Sequence, residues 1–310
     1  MNKLEAINQK KLYGLDIHIN ELIRLEETGI YPNKLLLSGQ KGLGKSTLAY
    51  HFINYVLSKD EDHSYDNKKF IINPESSSFK TTLNKSNPNV TIIDIDSEKK
   101  SIDIQQIREL ILNLNKSSFN KKPRFVLIDN IEFLNKNSIN ALLKILEEPN
   151  DNIHFILINN NKKILPTLLS RCINYKICLT NKQCLEITNN LLDGNLKNMI
   201  NDDLLDYYLT PGKIYNLIKF AELYDYNLLE FDLKNFLKMI INKNHYKKDS
   251  FMKYMIFDLM EFYFRKLNSS FSKKISNKYS YFLRKISDTK SFNLDDESLF
   301  IEFEDEILNG

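Results

Sequence analysis

Gly39, Gly44, Lys45 and Ser46 fall in the order Gly-x-x-x-x-Gly-Lys-Ser, directly after the apolar run at residues 35–37 and ahead of a long helical pattern. Strand, glycine loop and helix in that order form the setting in which backbone N–H groups cradle phosphate oxygens. Gly39, Gly42 and Gly44 are three of only eight glycines in the chain, which concentrates residues without Cβ where backbone must approach an anion. The chemistry open to such a loop is nucleotide binding. Lys45 would reach the β- and γ-phosphates, Ser46 would offer its hydroxyl to Mg2+, and the helix from Thr47 would add the positive end of its dipole. The plain alternative, a glycine turn between strand and helix, would not call for three glycines, a lysine and a serine in one register.

A second chemical group lies further along. Residues 123–129 read as a buried strand ending in Asp129, and open α/β sheets bind ligands at the carboxyl ends of their strands. There the carboxylate can hold Mg2+ beside the loop. Residues 153–158 form another apolar run, ending in Asn159, Asn160 and Asn161. An amide from Asn159 or Asn160 can hydrogen-bond a γ-phosphate or its water, or it can close the turn that begins at Asn161. The pattern leaves both open.

The elements that must position these groups alternate. Helical spacing covers residues 15–27, stopped by Gly29 and Pro32. Leu48, Phe52, Tyr55 and Val56 share one face of the helix after the loop. Residues 59–89 are polar and are expected as a long surface connection with one short strand at residues 70–72. A strand is expected at residues 90–95, then a helix marked by Ile104, Ile107, Leu110, Ile111 and Leu114. Residues 137–148 carry Ile139, Leu142, Leu143 and Leu146 at i, i+3, i+4 and i+7, a helix that Pro149 ends. Continuous apolar strands alternating with helices to about residue 176 predict a parallel sheet covered on both faces. Beyond it the patterns are helical: short helices at 182–222, the last opened by Thr210-Pro211-Gly212, then an aromatic-rich stretch at 225–287 read as helix-core packing.

Composition bounds the rest. At 310 residues two or three domains are expected. Forty-three basic against 40 acidic residues give a net charge of +3, so any contact with nucleic acid needs a local patch; Lys243–Lys248 and Lys273–Lys278 are the nearest candidates, read as solvated helix faces. Cys172, Cys178 and Cys184 include no Cys-x-x-Cys pair, so no zinc site is expected and the cysteines read as free thiols of a reducing cytoplasm. The amino terminus has no apolar h-region and no run of about 18 apolar residues occurs, so a cytoplasmic chain without membrane contact is expected.

The stretch from Phe125 to Pro149, with Asp129 and then Asn-Ala-Leu-Leu-Lys-x-Leu-Glu-Glu-Pro, closely resembles the clamp-loader branch of the AAA+ ATPases. Ser170-Arg171-Cys172 is similar to that branch's Ser-Arg-Cys motif, and residues 102–108 resemble the segment ahead of its second acidic strand. The resemblance covers residues 14–176 with specific motifs, residues 177–222 less fully, and the tail only through a faint echo at residues 292–295. It implies an α/β P-loop AAA+ module over residues 1–176, a small helical lid over 177–222, and an all-α collar domain over 223–310. It implies ATP or ADP with Mg2+ as cofactors. The implied partners are the gamma/tau and delta subunits, with the sliding clamp and primer–template DNA reached through the assembly.

The resemblance also assigns roles. Arg171 is expected to act in trans, as a finger toward ATP on a neighbouring subunit. Only six of the 43 basic residues are arginines, so an arginine here suggests a need for the planar fork. Motor subunits of the branch follow the Mg2+-binding acid with a glutamate that polarises water. Here Asn130 stands there, and an amide cannot take the proton, although Glu132 lies two residues on. No cysteine occurs between residues 46 and 129, so the branch's zinc insertion is missing. Where a motor subunit presents a phosphate-sensing arginine, the segment Thr210-Pro-Gly-Lys213 offers Gly212 or Lys213. A nucleotide-binding subunit of DNA replication with weak or no hydrolysis of its own is therefore expected. The alternatives are an autonomous motor ATPase of the same branch and a repair or recombination AAA+ protein.

Overall fold

Five strands, β1 (Lys34–Ser38), β2 (Val90–Ile93), β3 (Arg124–Ile128), β4 (Ile153–Asn159) and β5 (Ile173–Lys176), form one all-parallel sheet in the order β2-β3-β4-β1-β5. The computed structural model describes residues 4–96, 99, 101–116, 120–147, 152–205, 209–267, 273–292 and 294–309. The helix end expected at Glu148 and Pro149, and Asn293 of the tail echo, lie outside them, as do the side chains of residues 273–277.

Successive strand residues face opposite sides, and both sides are covered. Leu36, Val126, Ile128, Phe155 and Leu157 share a core with Ile107 and Leu110 of helix Ile104–Leu114 and with Leu142 and Leu146 of helix Lys136–Glu147. On the other side Phe125 meets Phe52 of helix Lys45–Leu57 edge to face, at 6.1 Å between ring centroids, and Tyr31 stacks on Phe52 at 4.6 Å. Phe52 is fully buried, so truncating it to alanine costs about 3–5 kcal/mol. This accounts for strands that read as unbroken apolar runs.

Three local features depart from the sequence expectations. Residues 59–89 are not simply a surface connection: they contain the helix Ser77–Leu83, capped by Ser76 Oγ accepting from Phe79 N at 3.2 Å. Glu61 anchors that cap by accepting from Ser76 Oγ at 2.8 Å and Ser78 N at 3.0 Å. Second, no strand forms at residues 70–72. Ile71 makes only single bridges to Lys11 and Asp66, because Phe70 takes φ +54°, outside strand geometry. Third, β5 was not signalled by an apolar run; it is an exposed edge strand.

The chain divides into two compact units, Asn2–Gly194 with Thr210–Tyr215, and Asn195–Leu209 with Asn216–Gly310. The second is helical and aromatic-rich. Phe264, Phe282 and Phe303 pack at 5.5–5.7 Å between centroids, and Phe300 packs on both Tyr246 and Phe257 at 5.0 Å. No helix among the described residues is long and apolar enough to cross a membrane.

Candidate functional site

The loop from Gly39 to Gly44 leaves β1 and turns into helix Lys45–Leu57 at its carboxyl end. Gly44 caps that helix at φ +84°, a conformation that glycine enters without the Cβ penalty. At Gly42 the constraint is close approach, since a Cβ there would lie 2.5 Å from Thr210 Oγ1. Thr210 is fully buried; its hydroxyl donates to Lys41 O at 2.8 Å, and Gly212 N donates to Gly42 O at 3.0 Å. Thr210 and the first turn of the helix Pro211–Leu223 thus lie against the loop backbone, within the first compact unit.

Lys45 is buried, and its ammonium donates to Gly39 O at 3.0 Å and Gln40 O at 2.6 Å. Burial lowers its pKa to about 8, with Asp129 and Glu132 opposing that shift. Ser46 Oγ donates to Asp129 Oδ2, and Asn130 N donates to Asp129 Oδ1 at 2.7 Å. Burial holds the Asp129 carboxyl above its usual range despite the Ser46 bond. Thr47 is half-buried in the first turn of the helix. Lysine, serine hydroxyl and carboxylate, brought together from two strands that β4 separates, are a donor set suited to a phosphate and a hard cation.

Asn130 and Glu132 follow β3, and Asn160 follows β4. Asn130 has φ +55°. Its Nδ2 donates to Asp94 Oδ1 at 2.7 Å, and its Oδ1 accepts from Asn160 Nδ2 at 2.8 Å. Asn160 Nδ2 also donates to Glu132 Oε1 at 2.9 Å. Asn159 closes the turn after β4, with Nδ2 to Lys162 O at 2.9 Å and Oδ1 from Lys162 N at 3.2 Å. Asp94 did not stand out in the sequence. The available signal was an acid directly after the apolar strand β2, the same placement that marked Asp129.

Arg171 stands apart from this group. It lies two residues before β5, whose first residue, Ile173, is in register with Leu35 of β1. The loop begins four residues later, at Gly39, or about 13 Å along the strand direction. The guanidinium donates through Nη1 to Thr167 O at 2.8 Å and through Nη2 to Glu147 Oε1 at 2.6 Å. Cys172 is half-buried, Cys178 exposed and Cys184 buried, all as free thiols.

A family model described as DNA polymerase III, delta subunit, matches residues 15–180, more than half of the chain. This chain belongs to the DNA polymerase III clamp-loader family. Curated relatives of this clamp-loader chain include the delta' subunit of Buchnera aphidicola subsp. Schizaphis graminum, 28% identical over 291 residues, with 83% of each chain covered. The gamma subunit of the same organism is 28% identical over 175 residues, 56% of this chain and 46% of that protein. The tau subunit of Escherichia coli is 34% identical over 89 residues, 28% of this chain and 14% of that protein. The chain therefore spans less than half the length of these gamma and tau relatives. Among solved structures, a DNA polymerase III gamma-subunit-related protein from Thermotoga maritima has a TM-score of 0.42 and 18% identity, over 92% of this chain and 96% of that one.

Proposed function

We propose that the chain is a delta-prime-type subunit of the DNA polymerase III clamp loader, which binds ATP or ADP with weak or no hydrolysis of its own and lends Arg171 to a neighbour. Lys45 and the N–H groups of the Gly39–Gly44 loop would take the phosphates, while Ser46 and Asp129 would hold Mg2+. The cation would neutralise charge on the phosphate oxygens. Phosphate binding would also give Lys45 an anionic partner in place of two backbone carbonyls. Asn130 supplies no base where hydrolysis would need one.

The observation that carries the reading is the placement of Arg171 at the amino edge of the sheet, remote from its own loop at the carboxyl edge. An arginine so placed cannot serve the phosphates of its own chain, but a ring of similar subunits would bring it to the next one. The same proposal takes residues 177–222 as the lid and 223–310 as the collar. It takes gamma/tau and delta subunits as direct partners in the cytoplasm, with the sliding clamp and primer–template DNA reached through the assembly. Co-expression with the gamma/tau and delta subunits of the same cell tests it. A stable complex containing this chain is expected, and its failure to join one contradicts the reading.

One observation favours a second reading, an autonomous gamma/tau-type motor. The Glu132 carboxylate is held at the strand ends beside Asn160, where it could replace the missing glutamate. The isolated chain would then turn over ATP and lose that turnover in Glu132→Gln.

A further inference from the structure

The side chains past the carboxyl ends of β2, β3 and β4 form a continuous run: Asp94, Asn130, Asn160, Glu132. A carboxylate stands at each end, and an ionised carboxylate only accepts hydrogen bonds. That fixes how both amides point. Asp94 Oδ1 requires a donor, so Asn130 turns its Nδ2 toward it, at 2.7 Å, and presents Oδ1 to Asn160. Asn130 Oδ1 then requires a donor, which Asn160 Nδ2 supplies at 2.8 Å. Glu132 Oε1 takes the other hydrogen of the same Nδ2 at 2.9 Å, and Glu132 Oε2 accepts from Asn160 N at 3.3 Å.

An asparagine amide has two N–H bonds, and both of Asn160's are spent in this run. Its remaining polar atom is the carbonyl Oδ1, an acceptor. Asn159 in β4 is in register with Ser38 of β1, so Asn160 lies level with Gly39, at the start of the phosphate loop. Asn159 is turned into the turn after β4, where its amide is bonded on both sides to the Lys162 backbone, Nδ2 donating to O and Oδ1 accepting from N. The start of the loop is therefore level with an acceptor oxygen, on a residue whose amide also holds the Glu132 carboxylate. A third phosphate would add negative charge on this flank without gaining a donor from Asn160.

On these grounds, we infer that the site selects a nucleoside diphosphate over the corresponding triphosphate, because the Asp94–Asn130–Asn160–Glu132 run leaves Asn160 only an acceptor to present. The inference rests on the nucleotide-binding reading above and names the ligand that the site prefers. Hydrolysis has no part in it: the preference is one of binding.

Calorimetric titration of the full chain with Mg-ADP and with the Mg complex of its β,γ-imido triphosphate analogue tests it. ADP is expected to bind at least about tenfold more tightly. Glu132→Ala, which frees one N–H of Asn160 and removes a charge, should narrow that ratio by about tenfold. Asn160→Ala should leave the triphosphate analogue bound no more weakly than before. Tighter binding of the analogue by the native chain overturns the inference. So does an Asn160→Ala variant that loses the analogue while keeping ADP, since that is the behaviour of a γ-phosphate donor. Binding of neither nucleotide by a folded native chain overturns the nucleotide reading itself, and this inference with it.

Discussion

Arg171 Nη2 lies 2.6 Å from Glu147 Oε1, an ion pair that joins the end of the helix Lys136–Glu147 to the turn before β5. Both residues belong to the amino edge of the sheet, and the phosphate loop to its carboxyl edge. Removing the guanidinium should therefore leave the chain's own nucleotide site intact. Titration of isolated Arg171→Ala with ADP should give the native dissociation constant within about twofold. The ion pair is partly exposed, at 32% for Arg171 and 52% for Glu147, so its loss should cost about 0–1 kcal/mol of stability.

Asn130→Glu tests what the amide has replaced. The backbone there is left-handed, at φ +55°, which asparagine tolerates and glutamate enters at about 1–2 kcal/mol. The substitution also puts a carboxylate where Nδ2 now donates to Asp94 at 2.7 Å. Denaturant unfolding should show a loss of about 1–2 kcal/mol, while ATP turnover by the isolated chain should rise. Unchanged turnover in a folded variant would point instead to Glu132 as the base.

Lys45 gives nucleotide binding a pH dependence. Burial lowers its pKa to about 8, and anionic phosphates bind the charged form. As pH rises above about 8 the free chain loses the proton that the complex needs, so affinity should fall by up to about tenfold per pH unit. For the unliganded chain the sign reverses. The unfolded lysine stays protonated to about 10.4, so between the two values the unfolded state binds more protons and stability rises with pH. Lys45→Met should abolish nucleotide binding and flatten that rise, which calorimetric melting between about pH 7.5 and about pH 10 would read.

His51 sets an acid limit. It is fully buried on the helix after the loop, with Nδ1 3.0 Å from Tyr65 Oη and Nε2 2.9 Å from Gln9 O. Burial lowers its pKa to about 4, against an ordinary value of 6.5. Between these values the unfolded chain binds the extra proton, so stability falls as pH drops through the window, by about 3 kcal/mol in full. Melting temperature should decline more steeply between pH 6.5 and pH 4.5 (about the upper part of the window) in the native chain than in His51→Gln.

Much of the sheet and half of the site were readable in advance, because they rest on local patterns. β1, the loop and its helix are contiguous, and Asp129 ends an apolar run that only a buried strand explains. The remainder depends on distant partners. The serines at 76–78 look like loop until Glu61 is seen to anchor Ser76 and Ser78. β5 carries Ile173 and Asn174 exposed at a sheet edge, so no hydrophobic periodicity announces it. The run from Asp94 to Glu132 exists only because β2, β3 and β4 are neighbours, an order that no stretch of sequence contains.

In the proposed delta-prime-type role the chain makes its catalytic contribution at a neighbour's phosphates, through Arg171. The decisive measurement is the steady-state ATPase rate of the clamp loader reconstituted with Arg171→Ala, with assembly confirmed by gel filtration. Turnover at the neighbouring site should fall by about 10³-fold or more, the scale of a lost arginine finger. Native turnover by an intact Arg171→Ala complex would contradict the account.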